Sequence, residues 1–176
     1  KRYLIYQLLE SSTYNTSNGI TVKSYLPIDL IREFDDLTDT TGEKYKDFYN
    51  NISTYISSDR IYTDDLHCLA WGTDAGFYRR LPQIVVRSES EAEVSRLLSD
   101  ANSAGLAVTF RAAGTSLSGQ AITDSVLIVA GKNWEKYEVS ADASTITLEP
   151  GIVGERVNQI LAPYGKIFSP DPASKK

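Results

Sequence analysis

Apolar and polar positions alternate along this chain in two styles. Tyr45, Phe48, Tyr49, Ile52, Tyr55 and Ile56 recur at helical spacing, which predicts an amphipathic helix whose aromatic stripe packs on another surface. Thr38 to Gly42, just before it, reads as a loop. From Leu81 the texture changes to short β-branched runs alternating with helical patterns. Ile84, Val85 and Val86 predict a strand, and Ser88 with Glu91 reads as the S-x-x-E capping box of a following helix. Val94, Leu97, Leu98 and Ala101 share one face of that helix, and Gly105 stops it. Ala107 to Phe110 is the next strand, so the order is strand, helix, strand, implying parallel strands and a right-handed crossover. Val126 to Val129 is a further strand. Tyr137 and Val139, then Ile146 and Leu148, flank the turn-rich Ser140 to Ser144 and predict a hairpin. Val153, Val157, Ile160 and Leu161 form a last helix, ended by Pro163 and Gly165, before the stiff, extended Ser169 to Pro172.

The pattern describes an α/β (α+β) protein of short parallel strands with helices, organised as a helical N-terminal extension over residues 1–78 and a second region over 79–176. With 176 residues, 41% hydrophobic and 23% charged, the chain has material for one good core and an appended piece. A formal net charge of -5 argues against nucleic acid or an anionic membrane surface as the main partner. The opening KRYLIYQLLE is too short for a signal peptide or a membrane span. Cys68 is the one cysteine and His67 the one histidine. A disulfide, an iron–sulfur ligand set and a histidine metal site are thereby excluded within this sequence, and a reducing compartment fits best.

Chemistry concentrates in the stretch after the second strand, Phe110-Arg-Ala-Ala-Gly-Thr-Ser-Leu-Ser-Gly-Gln120, which is almost devoid of large side chains. Small residues admit a ligand close to the backbone, and Gly114 and Gly119 tolerate positive φ. Consecutive N–H groups can then form a nest for anionic oxygens, with hydroxyls from Thr115, Ser116 and Ser118 and charge from Arg111. Placement at the carboxyl end of a parallel strand is where open α/β sheets bind ligands. The Walker pattern is only half present, since Gln120 and Ala121 stand where Lys and Ser/Thr are needed, and the Rossmann glycine pattern is absent. Residue types alone leave a phosphate site and a merely tight structural loop equally open.

Arg111 to Ala121, R-A-A-G-T-S-L-S-G-Q-A, resembles the pyrophosphate loop of FAD-linked oxidases of the vanillyl-alcohol oxidase and p-cresol methylhydroxylase type. Within them it is most similar to the D-lactate dehydrogenase, glycolate oxidase and D-2-hydroxyglutarate dehydrogenase group. Supporting motifs follow the same order: L-A-W-G-T-D-A-G at Leu69 to Gly76, P-Q-I-V-V at Pro82 to Val86, S-E-x-E-V at Ser90 to Val94, L-E-P-G at Leu148 to Gly151 and S-P-D-P at Ser169 to Pro172. The resemblance spans about residues 60 to 172. It implies that 79–176 is the first part of an FAD-binding domain, with the cofactor held noncovalently. The cofactor-binding residues it implies are Arg111, Ala112, Ala113, Gly114, Thr115, Ser116, Leu117, Ser118, Gly119 and Gln120, together with Val86, Pro170, Asp171 and Pro172. Ala113, where related loops often have Gly, and Gly76, in place of Ser, depart from the pattern.

Because the family's later cofactor segments and substrate domain have no counterpart here, the chain is expected to be an amino-terminal fragment, inactive alone. The full-length parent would be an FAD-dependent dehydrogenase of a D-2-hydroxy acid, passing electrons to an iron–sulfur module or another acceptor elsewhere. Its catalytic residues would lie outside this sequence, and its location would be the cytoplasm, free or peripheral at the inner membrane. Two other readings stand beside it, a nucleotide-binding module without redox chemistry and an interaction domain docking through the Tyr45 to Ile56 stripe. His67 and Cys68 are expected to pack, and Asp64 and Asp65 to serve as turn and cap residues.

Overall fold

A computed structural model describes residues 39–170 and 173–174 together with two short strands, β1 (Tyr14–Asn15) and β2 (Thr21–Val22). The stretch KRYLIYQLLE, Thr38, Asp171 and Pro172 lie outside the described residues. The chain forms two compact units, Lys1–Thr40 and Thr41–Lys176. In the first, β1 and β2 pair antiparallel, Tyr14 opposite Val22.

The first element of the second unit is helix α1 (Asp39–Ile52), which belongs to it from Thr41 on. Its backbone already includes residues 39–42, so the expected entry loop is the helix's first turn; the apolar stripe carries helix formation back through Gly42. The helix stops at Ile52, earlier than the stripe suggested. The hydroxyls of Ser53 and Thr54 donate to the carbonyls of Tyr49 and Asn51, both at 2.7 Å, and turn the chain. Ile56 stays buried all the same.

Strand β3 (Ile61–Tyr62), helix α2 (Asp65–Trp71), strand β4 (Ile84–Ser88), helix α3 (Glu91–Ser103), strand β5 (Val108–Arg111) and strand β6 (Val126–Ala130) follow. They build a four-stranded sheet in the order β3-β4-β6-β5. β4 and β5 are parallel, as expected, but both pair with β6, which lies between them: Val86 faces Ile128 and Phe110 faces Ile128 from the other side. β3 closes the β4 edge antiparallel.

Because β6 is paired on both edges and covered on both faces, its Val-Leu-Ile-Val run carries no alternation. Ile84, Val86, Val126 and Ile128 point to one side, against Phe48, Ile52 and Ile56 and against Leu97 and Ala101 of α3. Val85, Leu127 and Val129 point to the other, against Tyr62 and Trp71. Each fully buried aliphatic side chain here is worth about 1.5–3 kcal/mol. Polar ties fix the helices on this core. Tyr45 donates to Ser125 Oγ at 2.8 Å, Tyr55 donates to Asp100 at 2.8 Å, and Arg60 grips Glu93 with two bonds of 2.9 Å.

The cap of α3 corrects the sequence expectation. Ser90, not Ser88, is the N-cap, its Oγ accepting from the Glu93 N–H at 3.2 Å, while Glu93 reaches back to the Glu89 N–H at 2.8 Å. Ser88 is instead the last residue of β4, buried and donating to the Val129 carbonyl at 3.3 Å. Beyond the sheet, β7 (Tyr137–Val139) and β8 (Ile146–Leu148) form the expected hairpin, and α4 (Gly154–Leu161) buries Val157 and Leu161. Gly165 follows at φ +64°. Among the described residues no helix is long and apolar enough to cross a membrane.

Candidate functional site

The small-residue loop leaves the carboxyl end of β5 and is exposed at Ala113, Thr115, Leu117, Ser118 and Gln120. Its backbone takes positive φ at Gly114 (+72°) and Gly119 (+80°), the two positions where the sequence supplies glycine for that purpose. The N–H groups of Ala113 to Leu117 and the hydroxyls of Thr115 and Ser118 find no protein acceptor among the described residues. Gln120 folds back, its Oε1 accepting from the Ser118 N–H at 3.2 Å, and so completes the turn.

Arg111 ends β5 and turns beneath the loop. Its Nη1 donates to the carbonyls of Trp71 (3.1 Å) and Thr73, and its guanidinium carbon lies 5.2 Å from the centre of the Trp71 ring. A Cβ at Gly114 would stand 2.3 Å from that carbon, so any side chain here, besides the strain of positive φ, would displace the guanidinium below. Arg111 Nε is buried without a partner, and burial lowers the guanidinium pKa, partly offset by Asp74. A positive charge is thus lodged directly under the loop backbone.

Sequence reasoning missed the second wall of the site. Asp74 accepts from Ser116 Oγ (2.8 Å) and the Gly119 N–H (3.0 Å) with one oxygen, and from the Gly76 N–H (2.8 Å) with the other. These donors, Ser116 foremost, hold its carboxyl below the usual range. Ala75 N–H donates to the carbonyls of Gly114 and Ser116, both at 3.1 Å. At Gly76 a Cβ would meet the Leu117 carbonyl at 2.7 Å, so the glycine is matched to a loop drawn in close. The only sequence signal for this wall was the T-D-A-G run inside the motif Leu69 to Gly76.

The remaining candidates are placed elsewhere. Val86 is fully buried in the core, and its side chain offers no surface to a ligand. Pro170 is exposed, and Asp171 and Pro172 lie outside the described residues. On the α3 side of the same sheet edge a groove of about 400 Å³ is lined by Ser88, Val94, Leu98, Phe110, Trp134 and Pro150. Trp134 is held there by its Nε1, which donates to the Ser88 carbonyl at 2.8 Å. Gly151 packs against it, where a Cβ would lie 2.7 Å from the Trp134 carbonyl.

Cys68 packs as expected, and burial foremost pushes its thiol up to about 11, which leaves it un-ionised and unreactive at neutral pH. His67 does not pack in the core. It sits half exposed, stacked 4.5 Å from Tyr62, with Nδ1 2.8 Å from Asp64, because Asp64 is the N-cap of α2 and collects the imidazole one turn on. Among the described residues no cluster of His, Cys, Asp and Glu could hold a metal ion.

A family model described as FAD binding domain matches residues 82–176. D-2-hydroxyglutarate dehydrogenase of Escherichia coli (strain K12) is 29% identical over 107 residues, covering 58% of this chain and 10% of that protein. The glycolate oxidase subunit GlcD of the same organism is 29% identical over 100 residues, covering 56% of this chain and 20% of that one. The chain therefore spans about a tenth to a fifth of the length of these relatives. Among solved structures, alkyldihydroxyacetonephosphate synthase superposes with a TM-score of 0.65 at 19% identity, over 74% of this chain and 27% of that one. p-Cresol methylhydroxylase does so with 0.59 at 9% identity, over 70% and 25%, a likeness of fold.

Proposed function

Because the chain belongs to the FAD-binding domain family, we propose that the loop Ala112 to Gln120 cradles the pyrophosphate of a noncovalently held FAD in a dehydrogenase acting on a small D-2-hydroxy acid. The observation that carries this is the set of unpaired N–H groups from Ala113 to Leu117, arranged over the partly buried Arg111 cation. Neutral donors above a fixed positive charge suit a dianionic pyrophosphate, and the methyl of Ala113 sits on an exposed stretch where it does not close the approach.

The residues present fit the cofactor in a second respect. Among the described residues one carboxylate is bonded to the loop, that of Asp74, and both its oxygens are engaged by donors from Ser116, Gly76 and Gly119. Pro170 and the segment after it would lie along the same cofactor, whereas Val86 would contribute only by shaping β4. When bound, the flavin would supply the acceptor for the hydride removed from the hydroxyl-bearing carbon, and that chemistry is the cofactor's. These residues bind and orient, and no catalytic base is assigned among them. Turnover accordingly requires parts of the protein beyond this chain, and electrons pass from there to an iron–sulfur module or another acceptor. A cytoplasmic location, free or peripheral at the inner membrane, accords with this chemistry.

Competition binding to the full-length apoprotein tests the reading. Recognition of the pyrophosphate predicts that FAD binds, that ADP competes weakly, and that riboflavin, which has no phosphate, does not displace it. Equal competition by riboflavin would defeat the role given to the loop.

A further inference from the structure

The segment Gly72 to Gly76 faces the loop along its inner side and contacts it at consecutive points. Ala75 N–H holds the carbonyls of Gly114 and Ser116, and the Asp74 carboxylate holds Ser116 Oγ and the Gly119 N–H. The segment is itself fixed: Thr73 bridges Arg79, the Arg80 N–H donates to the Gly72 carbonyl at 3.0 Å, and Arg111 binds the carbonyls of Trp71 and Thr73. Among the described residues no peptide bond is cis. In a trans peptide the C=O of one residue and the N–H of the next point in opposite directions. Turning the Gly114 and Ser116 carbonyls inward therefore turns the N–H groups of Thr115 and Leu117 outward, away from the segment.

A carboxylate beside a site for an anion is at first sight misplaced. Its position resolves the difficulty, because it lies on the inner side with its oxygens taken up by loop and segment donors, opposite to the outward N–H groups. We propose that Asp74 is the positioning residue of this loop: it fixes the outward aim of the Thr115 and Leu117 N–H groups before a ligand arrives, and so raises affinity for FAD without touching it. This rests on the flavin reading above and goes beyond it in assigning the loop's preorganisation to a residue distant in sequence. Preorganised donors avoid the ordering cost that a free loop would meet on binding.

The test uses the full-length apoprotein and the variants Asp74→Asn and Ser116→Ala, with FAD titrated by calorimetry and amide exchange followed in parallel. Asp74→Asn replaces an oxygen acceptor by an NH2 donor facing donors, and is expected to weaken FAD binding roughly tenfold to a hundredfold. It should speed exchange at Ala75, Gly76 and Gly119 while leaving β4 and β6 protected. Ser116→Ala removes one bond and serves if Asp74→Asn does not fold; a loss of roughly threefold to tenfold is expected. Wild-type protein that takes up no FAD would remove the flavin reading itself. Wild-type binding with unchanged affinity in both variants would overturn the role of Asp74 alone. Loss of protection in β4 and β6 together with affinity would reduce Asp74 to a support of the fold, and also overturn the proposal.

Discussion

Replacing Gly114 by Ala perturbs the loop in two ways that the structure allows to be sized. Backbone at φ +72° costs a residue with a Cβ about 1–2 kcal/mol. The new methyl would also lie 2.3 Å from Arg111 Cζ and Nη2 and 2.6 Å from Nε, so the guanidinium must move. Moving it gives up its bonds to the Trp71 and Thr73 carbonyls, and hydrogen bonds from a charged group contribute about 1.5–3 kcal/mol. The sum is about 2.5–5 kcal/mol of local stability, spent on the clasp between the loop and residues 71–76. Amide exchange in the full-length protein reads this directly, because local opening free energies are resolved even where global unfolding is not two-state. Exchange at Ala75 and Gly119, whose N–H groups cross the clasp, should quicken about fiftyfold or more, at tenfold per 1.4 kcal/mol. Gly42→Ala is the internal control. No atom lies within 4 Å of its would-be Cβ, it sits in α1, and the change should stabilise the helix by about 0.5–1 kcal/mol. Unaltered exchange at Ala75 and Gly119 in Gly114→Ala would refute the placement of Arg111 beneath the loop.

Ser90→Ala should fray the start of α3 at a cost of about 1 kcal/mol, seen as faster exchange at Glu93, whereas Ser88→Ala should leave that amide unaffected. In the β7–β8 turn, Asp142 accepts from Ser140 Oγ, the Ser144 N–H and Ser144 Oγ, and the Ser140 hydroxyl foremost holds its carboxyl down at about 2 from an ordinary 3.8. A depressed carboxyl pKa stabilises above the unfolded value and loses that contribution as pH falls through the folded one. The hairpin should therefore keep its turn at pH 4 and lose it only as pH approaches 2, which carboxyl carbon NMR titration would show; a midpoint near 4 would contradict the geometry.

The loop and its strand were legible because their signals are local. A β-branched run followed by Ala, Gly, Ser and Thr needs no distant partner to be recognised, and Gly114 and Gly119 take the positive φ their identity permits. The strut that aims the loop was not legible, since Asp74 and Ser116 lie 42 residues apart and no local pattern joins them. The capping box failed for a different reason. Ser88-x-x-Glu91 and Ser90-x-x-Glu93 are equally good as strings, and the choice is made by β4, which buries Ser88 as its last residue against Val129. Insertion of β6 between β4 and β5 is likewise a long-range decision: it lets the most apolar run in the chain be covered on all sides. His67 escaped the core because its neighbour Asp64 caps α2 and offers the imidazole a carboxylate at the surface.

The central claim is that this chain holds a noncovalent flavin through the backbone of Ala112 to Gln120. A visible-absorbance scan of the full-length protein, followed by acid precipitation, tests it most directly. The account predicts a flavin spectrum whose yellow colour passes to the supernatant as FAD. Colour retained in the pellet would contradict noncovalent binding, and a colourless protein that takes up no added FAD would contradict the assignment of the loop.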